Sequence, residues 1–186
     1  MGLKVALSIS DMKMNIKNMI VSLAAVTILG FTPAQAMPQI GDPAPQFEGP
    51  DQNTNTVKLV DYTGKKNVLL YFYPKDFTGG CTKEACGFRD RMGDLANDNV
   101  AVIGVSFDSS ESHFKFAKQY NLAFPLIADT TGAIANAYGA TMKGKNMANR
   151  VSFLIGTDGR IIQITESGDP EKHFSEMQAA IATLKK

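Results

Sequence analysis

Apolar residues divide the chain into alternating strand-like and helix-like stretches. Residues 68–73 and 100–106 are nearly unbroken apolar runs, the pattern of strands covered on both faces of a sheet. From Cys81, the residues Ala85, Phe88, Met92 and Leu95 follow at spacings of four, three, four and three. That periodicity predicts a helix over residues 81–97 with Cys81 on its inward face. Residues 109–120 predict a second helix, capped by Ser109 or Ser110, and 126–128 a short strand followed by a helical piece at 134–138. Segments 150–155 and 160–166 form a hairpin over Asp158-Gly159. Residues 170–185 form an amphipathic helix with Asp169 as cap and Pro170 at its first position. The Pro-, Gly-, Asn- and Asp-rich stretch 41–61 reads as turns and short strands. Strands that alternate with helices, closed by a hairpin and a helix, predict an α/β fold with a mixed central sheet flanked by helices.

Composition adds a compartment to this picture. The chain has 186 residues, 44% of them hydrophobic and 20% charged, enough for one globular domain once a leader is removed. Residues 1–36 have the order of a secretory signal. Lys13 and Lys17 precede a 13-residue apolar stretch from Met19 to Phe31, and Ala34-Gln35-Ala36 is an A-x-A cleavage site. Met12 and Met14 are alternative starts. The expected mature domain is therefore residues 37–186, exported to a periplasm or beyond the cell, with no membrane attachment after cleavage. The formal net charge is +1, and no basic patch predicts a nucleic-acid partner.

The chemistry gathers where the strand at 68–73 meets the helix at 81–97. The segment Tyr73-Pro74-Lys75-Asp76-Phe77-Thr78-Gly79-Gly80-Cys81-Thr82-Lys83-Glu84-Ala85-Cys86 contains both cysteines of the chain. At the first turn of a helix, unpaired N–H groups and the helix dipole favour an anion, and the thiolate is the nucleophilic form of cysteine. Burial disfavours a thiolate, whereas a helix N-terminus and a nearby cation favour it. Thr78 is placed to cap the helix, Pro74 to end the strand, Glu84 to meet the dipole from the surface, and Arg150 to stand solvated at a strand end.

The spacing Pro74-x-x-x-Thr78-x-x-Cys81 resembles the active-site motif of the peroxiredoxins, and the continuation from Cys81 to Cys86 resembles their bacterioferritin-comigratory, Q-type branch. The resemblance extends through Gly41-Asp42-Pro43-Ala44-Pro45-Gln46-Phe47, Ser106-Phe107-Asp108, Phe124-Pro125-Leu126-Ile127-Ala128-Asp129 and Arg150-Val151-Ser152-Phe153-Leu154-Ile155. One departure is Gly79, where that branch usually has proline. The resemblance implies a thioredoxin-like fold with peroxiredoxin elaborations. It also implies a thiol peroxidase acting on hydrogen peroxide and organic hydroperoxides, without cofactor or metal. It nominates Cys81 as peroxidatic nucleophile, Cys86 as resolving thiol, Thr78 and Arg150 as donors to the peroxide and thiolate, Pro74 as a shield and Glu84 as a support behind them. A monomer recycled by a thioredoxin-like dithiol completes the expectation.

Helix geometry opposes the implied disulfide. Five residues rise about 7.5 Å, which leaves the Cα atoms roughly 8 to 9 Å apart, whereas a disulfide needs less than about 7 Å. The first turns must unwind, and Gly79, Gly80 and Gly87 ease this. Two further readings differ in class. Thiol–disulfide exchange on proteins usually rests on Cys-x-x-Cys, which is missing. Copper delivery would combine the cysteines with His113 or His173, both on predicted helices with polar neighbours and His173 read as a solvated first-turn residue, a thin ligand set.

Overall fold

A computed structural model describes residues 36–184; the leader assigned to residues 1–36 lies almost wholly outside the described residues. A short antiparallel pair, β1 (Glu48–Pro50) and β2 (Thr56–Lys58), comes first and leads through a 3-10 turn at Leu59–Asp61 into the main sheet. The remaining order is β3 (Asn67–Phe72), α1 (Gly79–Asp90), α2 (Met92–Asn97), β4 (Val100–Ser106), α3 (Ser110–Tyr120), β5 (Leu126–Ala128), α4 (Ala133–Ala137), β6 (Val151–Ile155), β7 (Ile161–Glu166) and α5 (Pro170–Thr183). The five-stranded sheet runs β5-β4-β3-β6-β7. Strands β3, β4 and β5 are parallel, and β6 and β7 continue antiparallel, so the sheet is mixed as expected.

The apolar runs behave as doubly covered strands because alternate residues of β3 enter two cores. Val68, Leu70 and Phe72 pack toward α4 and the N-terminal strands, among Phe47, Leu59 and Tyr138. Leu69 and Tyr71 pack on the opposite face, with Cys81, Ala85 and Phe88 of α1, Phe116 of α3 and Phe174, Met177 and Ile181 of α5. Helix α1 is thus pressed between the sheet centre and α5.

Caps set several boundaries. The Ser109 hydroxyl accepts from Ser112 N, and the Asp169 carboxylate accepts from Glu171 N ahead of Pro170. The β6–β7 hairpin turns through Gly159 at φ 77°. The helix expected over 81–97 is two helices. It begins at Gly79 and breaks at Arg91, whose φ −100° and ψ 1° leave the helical region. The Arg91 guanidinium donates to the Gly87 carbonyl at 2.9 Å and satisfies one of the acceptors that the break frees.

Candidate active site

Strand β3 ends at Phe72, and the chain enters α1 through Tyr73–Thr78. Under this loop lies a buried polar cluster. Asp76 Oδ1 accepts from the Tyr73 hydroxyl at 2.7 Å, and Oδ2 accepts from Ser112 Oγ at 2.7 Å and lies 2.9 Å from His113 Nδ1. The other ring nitrogen of His113 faces the Ile127 carbonyl at 3.2 Å. His113 is fully buried, although its neighbours in the sequence are polar. Its partners come from the loop and from β5, so the cluster ties the loop to the sheet. Above it Phe77 is forced to φ 60°, half-exposed, with its ring edge-on to Phe116 at 5.1 Å. A bulky residue in the left-handed region is strained, and such strain gathers at functional sites.

Thr78 occupies the N-cap position with φ −84° and ψ 147°, but its side chain makes no cap hydrogen bond. Its hydroxyl instead donates back to the Lys75 carbonyl at 3.0 Å and closes the loop on itself. The expected hydroxyl cap is corrected, and the consequence is chemical: without a side-chain cap the first-turn N–H groups of α1 are left to an anion.

Cys81 opens α1 on its inward face, 1% exposed. Arg150, at the entry to β6, brings Nη2 to 3.3 Å from Cys81 Sγ and pairs through Nη1 with Glu84 Oε2. Its side chain is 10% exposed, so it is not a solvated strand-end residue. Glu84 is fully buried rather than on the surface. A Cβ at Gly80 would stand 3.0 Å from Arg150 Nη2, so glycine there leaves room for the guanidinium.

One guanidinium therefore faces two acidic groups, and burial decides how they share it. Burial pushes the Glu84 carboxyl up to about 8, against the pull of Arg150. Burial alone would lower Arg150, but Glu84 and Cys81 outweigh it and hold the guanidinium above its usual range. At neutral pH the arrangement is a cation, a largely neutral carboxylic acid and a thiol that can ionise without leaving a net charge buried. Behind Glu84 stands His173, fully buried with Nδ1 2.8 Å from Ser152 Oγ and Nε2 3.0 Å from the Ser167 carbonyl. Burial lowers its pKa. It is not the solvated first-turn residue expected, and with His113 held by Asp76 neither histidine is grouped with the cysteines.

Cys86 is half-buried on the same helix, and both cysteines are free thiols. Pro74, half-buried, and Arg150 line an open cleft of about 310 Å³ whose other walls are Met142, Asn149, Glu166 and Ser167. The structure thus brings Pro74, Cys81, Glu84 and Arg150 together, whereas the Thr78 hydroxyl is turned back to the Lys75 carbonyl.

The same chain order is found in known proteins. The model of the AhpC/TSA family matches residues 40–164. Peroxiredoxin Bcp of Bacillus subtilis is 41% identical over 153 residues, 79% of this chain and 95% of that protein. The chain is a peroxiredoxin of the AhpC/TSA family. The crystal structure of peroxidoxin BcpB from Mycobacterium tuberculosis superposes with a TM-score of 0.72 at 33% identity, covering 81% of this chain and 97% of that one. The Xanthomonas campestris bacterioferritin comigratory protein, whose alkyl peroxide reduction activity was addressed through trapped intermediate and ligand complexes, matches at TM-score 0.66 and 28% identity, over 75% and 90% of the two chains. The thioredoxin-like architecture of this peroxiredoxin and its class, thiol peroxidase, follow from these matches.

The peroxiredoxin's glycine at 79 has no steric cause. A Cβ there would touch nothing within 4 Å, and φ is not positive. It is the first helical residue after an extended Thr78, the position where proline fits best and whose predecessor already has the backbone that proline demands. Gly79→Pro should therefore raise stability by about 0.4–1 kcal/mol by restricting the unfolded chain. A urea titration checks this; a loss of stability would show that the Gly79 N–H or its φ is needed as it stands.

Proposed function

We propose that the peroxidase reaction is carried by Cys81 as thiolate, held against Arg150 at the uncapped start of α1. The observation that supports this most is the 3.3 Å contact between Arg150 Nη2 and Cys81 Sγ in a site shielded from water. The thiolate attacks one oxygen of a hydroperoxide in line. The O–O bond breaks, and the other oxygen leaves as hydroxide or alkoxide and takes a proton to become water or alcohol. Cys81 is left as a sulfenic acid. Arg150 and the first-turn N–H groups face the position where oxygen charge develops.

The sulfenic acid is resolved by Cys86. Its sulfur attacks Cys81 sulfur, the S–O bond breaks, and hydroxide departs with the thiol proton as water. A thioredoxin-type dithiol then returns two electrons and two protons and is itself oxidised to a disulfide. Because both cysteines lie on α1, catalysis needs no partner subunit, and the enzyme works as a monomer. The basic, apolar and Ala-Gln-Ala order of its N-terminus supports an exported enzyme with a mature chain from Met37. Its reductant must therefore be one that is kept reduced in an oxidising compartment.

The test is a thiol count. Fully reduced mature protein mixed with one equivalent of hydrogen peroxide should lose both thiols within the mixing experiment, without forming covalent dimers. Retention of both thiols on the timescale of an unactivated cysteine would reject the assignment of Cys81, and loss through intermolecular dimers would reject Cys86 as an internal resolver.

A further inference from the structure

Helix α5 is laid directly on the half of α1 that carries Cys86. A Cβ at Gly87 would stand 2.1 Å from Phe174 Cζ and 2.6 and 2.8 Å from its neighbours in the ring. The ring fills the space that any other residue beside Cys86 would need. The same ring meets Phe88 edge to face, with centroids 5.1 Å apart and planes at 90°. The Arg91 guanidinium lies 4.4 Å over it and also donates to the Gly87 carbonyl. One buried aromatic on α5 thus touches positions 87, 88 and 91, the turn directly after Cys86. Between the two helices, Lys83 pairs with Glu171 at 3.2 Å with both side chains more than half exposed, which holds little, and the buried His173 Nδ1 stands 3.8 Å from Glu84 Oε1.

We propose that Phe174 is a positioning residue for the resolution step: its ring pins the Gly87–Arg91 turn to α5 and sets how often Cys86 can leave the helix to reach Cys81. This rests on the roles proposed above for the two cysteines. In an intact helix the two Cα atoms stand roughly 8 to 9 Å apart, beyond the reach of a disulfide, so S–S bond formation with loss of water waits on unwinding between them. Unwinding lifts Gly87 and Phe88 off the ring and ends the stacking with Arg91. Aromatic pairs and cation–π contacts of this kind are each worth enough that removing them should make opening roughly tenfold more frequent. The oxidant is the peroxide already consumed at Cys81, so the step needs no other reactant. By holding Cys86 back, the contact lengthens the life of the sulfenic acid, and with it the time in which a second peroxide can carry Cys81 to sulfinic acid.

The experiment is rapid mixing of the reduced full chain with hydrogen peroxide, quenched by alkylation and read by mass, in wild type, Phe174→Leu and Met177→Ala. Met177 is buried and lines the same roughly 50 Å³ cavity between α1, α2 and α5, but it is not among the atoms that close on Gly87. Phe174→Leu should leave sulfenic acid formation unchanged, speed its conversion to disulfide roughly tenfold and reduce the sulfinic fraction at high peroxide. Met177→Ala should lower the melting temperature and leave the conversion rate alone. An unchanged conversion rate in Phe174→Leu, or an equal acceleration in Met177→Ala, overturns the proposal. Formation of neither sulfenic acid nor disulfide at Cys81 in wild type would instead overturn the peroxidatic assignment, and this proposal with it.

Discussion

Cys81→Ser should abolish peroxide turnover, a fall on the order of 10⁴-fold or more, as expected when the nucleophile itself is removed. The fold should hardly change. Serine fits the space left by the thiol, the Arg150–Glu84 pair does not depend on sulfur, and the cluster around Asp76 is bonded through Tyr73, Ser112 and His113 rather than through the thiol. Coupled turnover with a thioredoxin-type dithiol and a melting curve on the same preparation read the two effects separately. Cys86→Ser provides the contrast. It should still consume about one equivalent of peroxide, stop as the sulfenic acid, and proceed to sulfinic acid under excess peroxide. If Cys81→Ser kept its rate while Cys86→Ser lost it, the two roles would have to be exchanged.

The sequence carried these roles unevenly, for physical reasons that particular residues make clear. The inward face of α1 was legible because Cys81, Ala85 and Phe88 repeat at helical spacing, and all are buried. Glu84 lies on that same face. A charge there reads as exposed because burying it is costly unless a partner is supplied, and its partner comes from Arg150, 66 residues away. His113 and His173 hide in the same way. Each shares a helix face with buried apolar residues, Phe116 and Ala117 in one case and Phe174 and Met177 in the other. Each is made tolerable by distant groups, Asp76 37 positions away and Ser152 21 positions away. The missing cap at Thr78 was equally out of reach, since a threonine at an N-cap offers its hydroxyl to more than one backbone group, and here the loop takes it. Gly87 was read as a point of flexibility; its tighter constraint, the Phe174 ring, belongs to a helix that begins 83 residues after it and is visible only once α5 is docked.

Arg150→Met should cost activity and spare the fold near neutral pH, a separation that an ordinary buried ion pair would not allow. The thiolate loses its cation and the developing oxyanion loses a donor, so the rate of Cys81 oxidation should fall on the order of 10²- to 10³-fold. Breaking a buried pair usually strands a charge and destabilises strongly. Here burial already pushes Glu84 up to about 8, so the carboxyl left behind is protonated and neutral at pH 6 to 7. The linkage has a definite sign. A carboxyl whose folded pKa is raised above its unfolded value contributes stability that is fully present below about 4.5 and is lost as pH rises through the folded value. In wild type that loss is complete once pH passes about 8. In Arg150→Met the cation that pulled Glu84 down is gone, so its folded pKa moves higher still and the loss continues. Urea midpoints should therefore nearly coincide for the two proteins at pH 6 and diverge above pH 8, with the variant falling further behind. A gap as wide at pH 6 as at pH 9 would show that Glu84 is ionised in the native site at neutral pH, and that Arg150 serves the fold as much as the thiolate.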